Sequence, residues 1–127
     1  MIRFTHSGFE CMTKVSPMGI PCGYVGLDKS HPYFGKHYND IDDIEVHGGL
    51  TFSAYWEDLG DGLWYLGFDC GHAFDIDDLP TTLPKHPWAF RSNKSDKFVE
   101  EQTKRLAEQL EKVKPMAKKT RRKTRRW

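Results

Sequence analysis

Cysteine is scarce in this chain, and none of it falls in a paired spacing. Cys11, Cys22 and Cys70 make an odd count with no CxxC, which speaks against a disulfide framework and for free thiols in a reducing, cytoplasmic setting. Long apolar runs are missing as well. No window approaches the ~20 apolar residues of a membrane helix. The opening MIRFTHSGFE lacks the apolar core of a secretion signal. There is no GxGxxG and no Walker-type lysine loop, so no nucleotide-binding fingerprint is present. Residues 114–127 carry eight Lys/Arg and no Asp or Glu, which leaves eleven basic against eighteen acidic side chains in residues 1–113. The overall charge of +1 therefore hides a body of −7 and a basic tail.

What is present fits one domain. A chain of 127 residues with 38% hydrophobic and 13% aromatic content is long enough for one core and too short for two. We place the domain at 1–114 and the tail at 115–127. Ile2 to Phe4 reads as a short edge strand. Phe9–Val15 and Ile20–Leu27 read as a hairpin across Ser16-Pro17-Met18-Gly19, with proline and glycine in favoured turn positions. Asp28–Asp43 follows as a long polar loop anchored by Tyr33, Phe34 and Tyr38. Asp75–Asn93 has three prolines and no clean period, which suggests coil wrapping over the sheet. Ser95 then opens a helix reaching Lys114, with Ser95 as N-cap and Asp96 in the first turn. Its apolar stripe is Val99, Leu106, Leu110 and Val113, and Pro115 ends it. Glu100/Lys104, Glu101/Arg105 and Glu108/Lys112 are i,i+4 pairs in the favourable order. The last residues cannot build a core and are expected to be disordered. The fold class that follows is α+β: a small antiparallel sheet of four to five strands with one C-terminal helix packed on it.

The stretch Ile44–Asp75 combines apolar periodicity with reactive side chains. Read as two long strands, its first arm puts Ile44, Val46, Leu50, Phe52 and Ala54 on one face, with Gly48 and Gly49 in mid-strand. The second arm puts Trp64, Leu66, Phe68, Cys70 and His72 on the apolar face, with Leu63, Tyr65, Gly67 and Asp69 opposite. The helix stripe is expected to bury against Val46, Leu50, Phe52, Leu66 and Phe68. A turn near Asp58–Gly62 sets Thr51 or His47 across from Asp69.

Five kinds of chemistry can be read from the chain. His47 with Asp69 suggests a general acid/base pair, the carboxylate holding the imidazole's tautomer. Cys70-x-His72 puts two metal-ligand types on one face, with Cys22 or His47 as completing ligands, or a thiol beside an imidazole. The alternation separates His47 from Cys70 and His72, so we assign no metal and no cofactor. Tyr24, His31, Lys36, Gly48, Gly49 and His72 are the candidate ligand contacts, the glycines baring backbone for a close approach. Gly23 and Gly26, around Tyr24, either serve the same purpose or relieve crowding in a twisted sheet. In the tail, Arg121, Arg122, Lys123, Arg125 and Arg126 would attract phosphates without sequence preference, and Trp127 adds a stacking surface.

The runs CGYVGLDKSHPYFGKHYNDI, EVHGGLTFS, LGFDCGH and KFVEEQTKRLAEQL resemble, in this order, a family of small, largely uncharacterised bacteriophage proteins. The matching positions are Gly23, Tyr24, Val25, His31, Pro32, Gly35, Lys36, His47, Gly48, Gly49, Asp69, Cys70 and His72. The chain departs from that pattern at Phe74 and in its basic tail. The resemblance implies a phage accessory protein in the cytoplasm of a bacterial host. Sparse catalytic signals beside plentiful glycine and aromatic surfaces suggest that it binds a nucleotide-like small molecule or a host protein, counteracting host defence. Two other functions are carried beside it: a small hydrolase using His47 and Asp69, with or without a metal, and a nucleic-acid binder acting through the tail. No membrane partner is expected.

Overall fold

The computed structural model describes residues 1–17, 19–71 and 94–113. Five strands form one open antiparallel sheet: β1 (Ile2–His6), β2 (Phe9–Val15), β3 (Pro21–Leu27), β4 (Phe52–Tyr55) and β5 (Trp64–Asp69), in the spatial order β1-β2-β3-β5-β4. Among the described residues one α-helix, α1 (Asp96–Glu111), packs on one face of this sheet. It lies over β3 and β2 and reaches β1.

Both expected hairpins form. β2 pairs with β3 from Glu10↔Gly26 to Val15↔Pro21, and β4 pairs with β5 from Phe52↔Gly67 to Tyr55↔Trp64; β1 adds to the far side of β2, from Ile2↔Thr13 to His6↔Phe9 without a break. β3 occupies the middle of the sheet, and all seven of its residues are buried. Its unbroken apolar run, PCGYVGL, is what a strand covered on both sides requires. On the helix side Cys11, Val25, Leu27, Leu66, Phe68 and Cys70 pack with Val99, Leu106, Ala107 and Leu110. On the other side Met12, Cys22, Tyr24 and Tyr65 form a second cluster, with Ile20, Phe52, Trp56, Leu59 and Leu63 around it.

The helix starts as its sequence implies. The Ser95 hydroxyl accepts the Phe98 amide at 3.1 Å, which satisfies one of the donors that a helix N-terminus leaves open. Its buried stripe is Val99, Thr103, Leu106, Ala107 and Leu110. Val113 belongs instead to the turn after Glu111, where its amide reaches back to the Leu110 carbonyl. Small residues take two stripe positions because the helix comes close to the sheet. A Cβ on Gly23 would collide with the Thr103 hydroxyl and with the Phe68 ring at 2.6 Å. Of the three i,i+4 pairs expected on α1, Glu100–Lys104 is formed at 3.1 Å. Glu108 turns to His6 on β1, with the Nε2–carboxylate distance at 2.8 Å.

One expected strand is much shorter than its apolar pattern suggests. The Ile44–Ala54 arm is extended into the sheet only from Phe52. Gly48 (φ 70°) and Gly49 (φ 83°) form a turn in which the Gly49 amide reaches the Val46 carbonyl at 2.8 Å. Both are in the left-handed region, which glycine enters without the Cβ penalty, so they are turn residues and not mid-strand ones. The turn decouples the two halves of the arm. Ile44, Val46 and Leu50 pack into the helix-side core, whereas Phe52 joins the opposite cluster. Phe52 therefore does not meet the helix stripe.

Two glutamines hold the first half in place. The Glu45 amide donates to Gln109 Oε1 at 2.7 Å, and Gln109 Nε2 donates back to the Glu45 carbonyl at 2.7 Å. Seven residues earlier on α1, Gln102 Oε1 accepts the His47 amide at 3.1 Å. Positions seven apart are two helical turns apart on one face, so the pair clamps the segment 45–47 along the helix flank.

The long loop after β3 is also pinned. Ile41 is buried, Trp64 Nε1 donates to the Lys36 carbonyl at 2.9 Å, and the Tyr38 amide donates to Ser53 Oγ at 3.1 Å. No described helix is long and apolar enough to cross a membrane.

Candidate ligand-binding cleft

The face of the sheet away from α1 carries an aromatic cleft. It arises from the pairing register. Tyr24 stands opposite Gly67, and Tyr65 opposite Gly26. Each ring lies over its glycine partner: a Cβ on Gly26 would come within 2.9 Å of the Tyr65 ring, and one on Gly67 would collide with Tyr24. Gly23 and Gly26 thus relieve crowding and do not present open backbone. β4 then ends at Tyr55, and one helical turn closes from Trp56, with the Leu59 amide on the Trp56 carbonyl at 3.0 Å. That turn folds Trp56 and Leu59 back onto the face away from α1. Asp61 fastens its far end. Its Oδ1 accepts the Leu63 amide at 3.0 Å, and its Oδ2 accepts the Tyr65 hydroxyl at 2.7 Å.

Edge-to-face contacts make the aromatic floor rigid. Tyr24 meets Trp56 at 4.8 Å and 86°, and Phe52 at 5.1 Å and 81°. Trp56 also meets Tyr65 at 5.9 Å and 77°. Such pairs contribute roughly 0.5–1.5 kcal/mol each beyond area burial. Lys14 Nζ sits 5.0 Å from the Trp56 ring centroid, a cation–π contact. The cleft has a volume of about 340 Å³ and is lined by Lys14, Tyr24, Phe52, Tyr55, Trp56, Glu57 and Asp58. It combines an aromatic floor, one ammonium and two carboxylates. Small-molecule sites occupy about 300–1,000 Å³ and pair apolar walls with few polar groups.

Beside the cleft, Lys14, Cys22 and Asp69 form one row across β2, β3 and β5. Burial raises the Cys22 thiol, working against a hydrogen bond from Tyr24. Burial likewise raises the Tyr24 hydroxyl, assisted by Cys22. Both groups are therefore held neutral, and Cys22 does not offer the thiolate a nucleophile requires.

The residues singled out in the sequence are spread over several environments. Tyr24 lines the cleft. Asp69 lies on the same face, its Oδ2 accepting the Thr51 hydroxyl at 3.0 Å and its Oδ1 the Gly71 amide at 2.9 Å. The Thr51–Asp69 contact expected from the register is thus present. His47 lies on the helix side, its ring edge-on to Phe98 at 5.1 Å. His31 is committed to structure. Its Nδ1 accepts the Tyr33 amide at 2.9 Å, so Nε2 carries the proton and donates it to the Leu110 carbonyl at 2.8 Å. This ties the loop to the last turn of α1.

Lys36 sits with its Nζ 5.6 Å above the Tyr33 ring, and Gly48 and Gly49 form the turn beside α1. Cys70 is fully buried in the helix-side core, whereas Cys22 belongs to the opposite cluster, so the sheet separates these two sulfurs. Among the described residues no three His, Cys, Asp or Glu side chains come together as a metal-binding group. His72, Asp75 and tail residues Arg121, Arg122, Lys123, Arg125 and Arg126 lie outside the described residues.

Lys14, Phe52, Trp56, Glu57 and Asp58 were not legible as site residues. The available signal was the run AYWED at the end of a strand, where a tryptophan beside two acids marks a half-buried ring at a charged rim. Compared with protein-family models, curated proteins and solved structures, the chain matches none.

Proposed function

We propose that the protein binds a small, planar, nucleotide-like molecule in the aromatic cleft on the sheet face away from α1. The observation that carries this reading is the convergence of Tyr24, Phe52 and Trp56 with Lys14 in one cleft of about 340 Å³. A heteroaromatic ring stacks against the aromatic wall, an anionic group is drawn to Lys14, and ring amino groups donate to Glu57 or Asp58. Binding, not turnover, is the activity this arrangement supports. The cleft holds no imidazole, and burial holds the Tyr24 phenol and the neighbouring Cys22 thiol neutral. Together with the resemblance to small bacteriophage proteins, this supports an accessory protein that sequesters a nucleotide-like ligand in a bacterial host cell and so blunts host defence.

The test is a calorimetric and fluorescence titration with mono- and dinucleotides, using protein truncated after Val113 so that the basic tail does not contribute. Stacking of a base on an aromatic side chain is worth roughly 1–3 kcal/mol, so Trp56→Ala should weaken binding by about fivefold to 150-fold. Lys14→Ala should weaken it and flatten its salt dependence. The ligand should be recovered chemically intact. Absence of saturable binding, or binding indifferent to Trp56→Ala, would overturn the proposal. A converted product that disappears in His47→Ala would establish the hydrolase instead.

A further inference from the structure

The two edges of the sheet are treated differently. Along β4, the Tyr38 amide bonds Ser53 and Phe34 packs edge-on to Tyr55 at 5.9 Å, so the loop after β3 shields that side. β1 is the other edge, and among the described residues nothing pairs with its outer side. Natural sheets guard such an edge with proline, bulges or outward charges. β1 has no proline, and its register with β2 runs unbroken over all five pairs. Its one cation, Arg3, is turned onto Glu10 of β2 at 3.4 Å. Apolar surface gathers at the same corner: Met1, Ile2 and Val15 are 66%, 60% and 54% exposed and, among the described residues, are three of the four large apolar side chains left in the open. They border a cavity of about 90 Å³ that Pro21 and Val99 also line.

We infer that β1 is a self-association edge, pairing antiparallel with β1 of a second copy to make one continuous ten-stranded sheet. An antiparallel pair of identical strands has the two-fold symmetry that closes a dimer. The side chains select the register. Centred on Arg3, the pairing sets two cations against each other, which is destabilising. Centred on Phe4, it sets Phe4 against its own copy, Ile2 against His6, and Arg3 against Thr5. Thr5 is the β2-side neighbour of Glu10, so each Arg3 then lies between its own Glu10 and that of the second copy. Both charges are complemented in this register alone, and Ile2 loses its exposure to solvent.

Sedimentation velocity of the full-length chain over a wide concentration range tests this, with Thr5→Lys and Thr5→Glu as variants. Thr5 is exposed, so neither change disturbs the core. In the dimer, Thr5→Lys faces Arg3 of the other copy and Thr5→Glu offers it a partner. With two such pairs per dimer, each worth roughly 0.2–1 kcal/mol, dissociation should become about twofold to thirtyfold easier for Thr5→Lys and correspondingly harder for Thr5→Glu. Within one copy the signs reverse, because position 5 faces Glu10: Thr5→Lys should raise the melting temperature measured at high dilution, and Thr5→Glu should lower it. A folding defect cannot mimic these opposed trends. A single monomeric species at every concentration, or a dimer whose affinity ignores both changes or follows the melting temperature, would overturn the inference.

Discussion

Cys11 shows how a single buried side chain sets a pH limit on this fold. It is 1% exposed, and loss of water pushes its thiol from 9.0 to about 11. Burial, with help from Asp43, also raises the Tyr33 hydroxyl from 10.0 to about 12, and burial raises Tyr24 and Tyr65. In the unfolded chain these groups release their protons near their ordinary values, whereas the fold retains them to higher pH. The stability they contribute is thus complete below pH 9 and is lost as pH rises through 9–12. Urea midpoints should be level from neutrality to pH 9 and fall beyond it, and Cys11→Ala should flatten the first part of that fall. A midpoint that stays level to pH 11 would contradict the burial assigned to these groups.

Among the elements, the segment before β4 is the one whose placement depends most on a partner. It has apolar residues at strand spacing, but over residues 45–47 its backbone bonds go to α1, and the sheet takes it up only from the Thr51 amide, which reaches the Gly67 carbonyl at 2.8 Å. Gln109 supplies both an acceptor and a donor to Glu45. Net hydrogen bonds contribute about 0.5–1.5 kcal/mol each, so Gln109→Ala should destabilise the protein by roughly 1–3 kcal/mol. Hydrogen exchange should show the loss at the Glu45 amide, while the amides of β3 and β5 keep their protection. Uniform loss across the sheet would mean that the clamp belongs to the global folding unit and not to a local one.

At the scale of the whole molecule, charge is the dominant asymmetry. The body of 113 residues carries −7, and the fourteen residues after it carry +8. The described core and cap of α1 are complete before position 114, so a chain ended at Val113 should melt as the full-length protein does. Full-length protein should bind DNA and RNA without sequence preference, with affinity falling steeply as salt rises, by a log–log slope of about −0.9 per duplex phosphate neutralised. The truncated chain should not bind. Retained binding would move the nucleic-acid surface onto the acidic body, and failure to fold would make the tail a structural element.

The sequence by itself determined the elements whose signals are local: the Phe9–Leu27 hairpin, the β5 alternation, and the helix from its Ser95 cap to Leu110. Caps, turns and periodicity act over a few residues, so one chain segment carries the whole instruction. The tertiary structure decided how those elements share two cores. An apolar residue in a strand signals burial, but it does not say on which side when both sides of the sheet are covered. Tyr65 and Gly67 therefore read as the outward face of β5, although they lie under Tyr24 and Trp56. The pair Gly48-Gly49 reads as mid-strand within its apolar arm, and the docking of Glu45 and His47 on Gln109 and Gln102 made it a turn. That turn uncoupled Phe52 from Leu50 and put it on the cleft side. The cleft exists because Tyr24, far off in sequence, meets Phe52 through strand pairing and Trp56 through the turn after β4, contacts that no local pattern encodes.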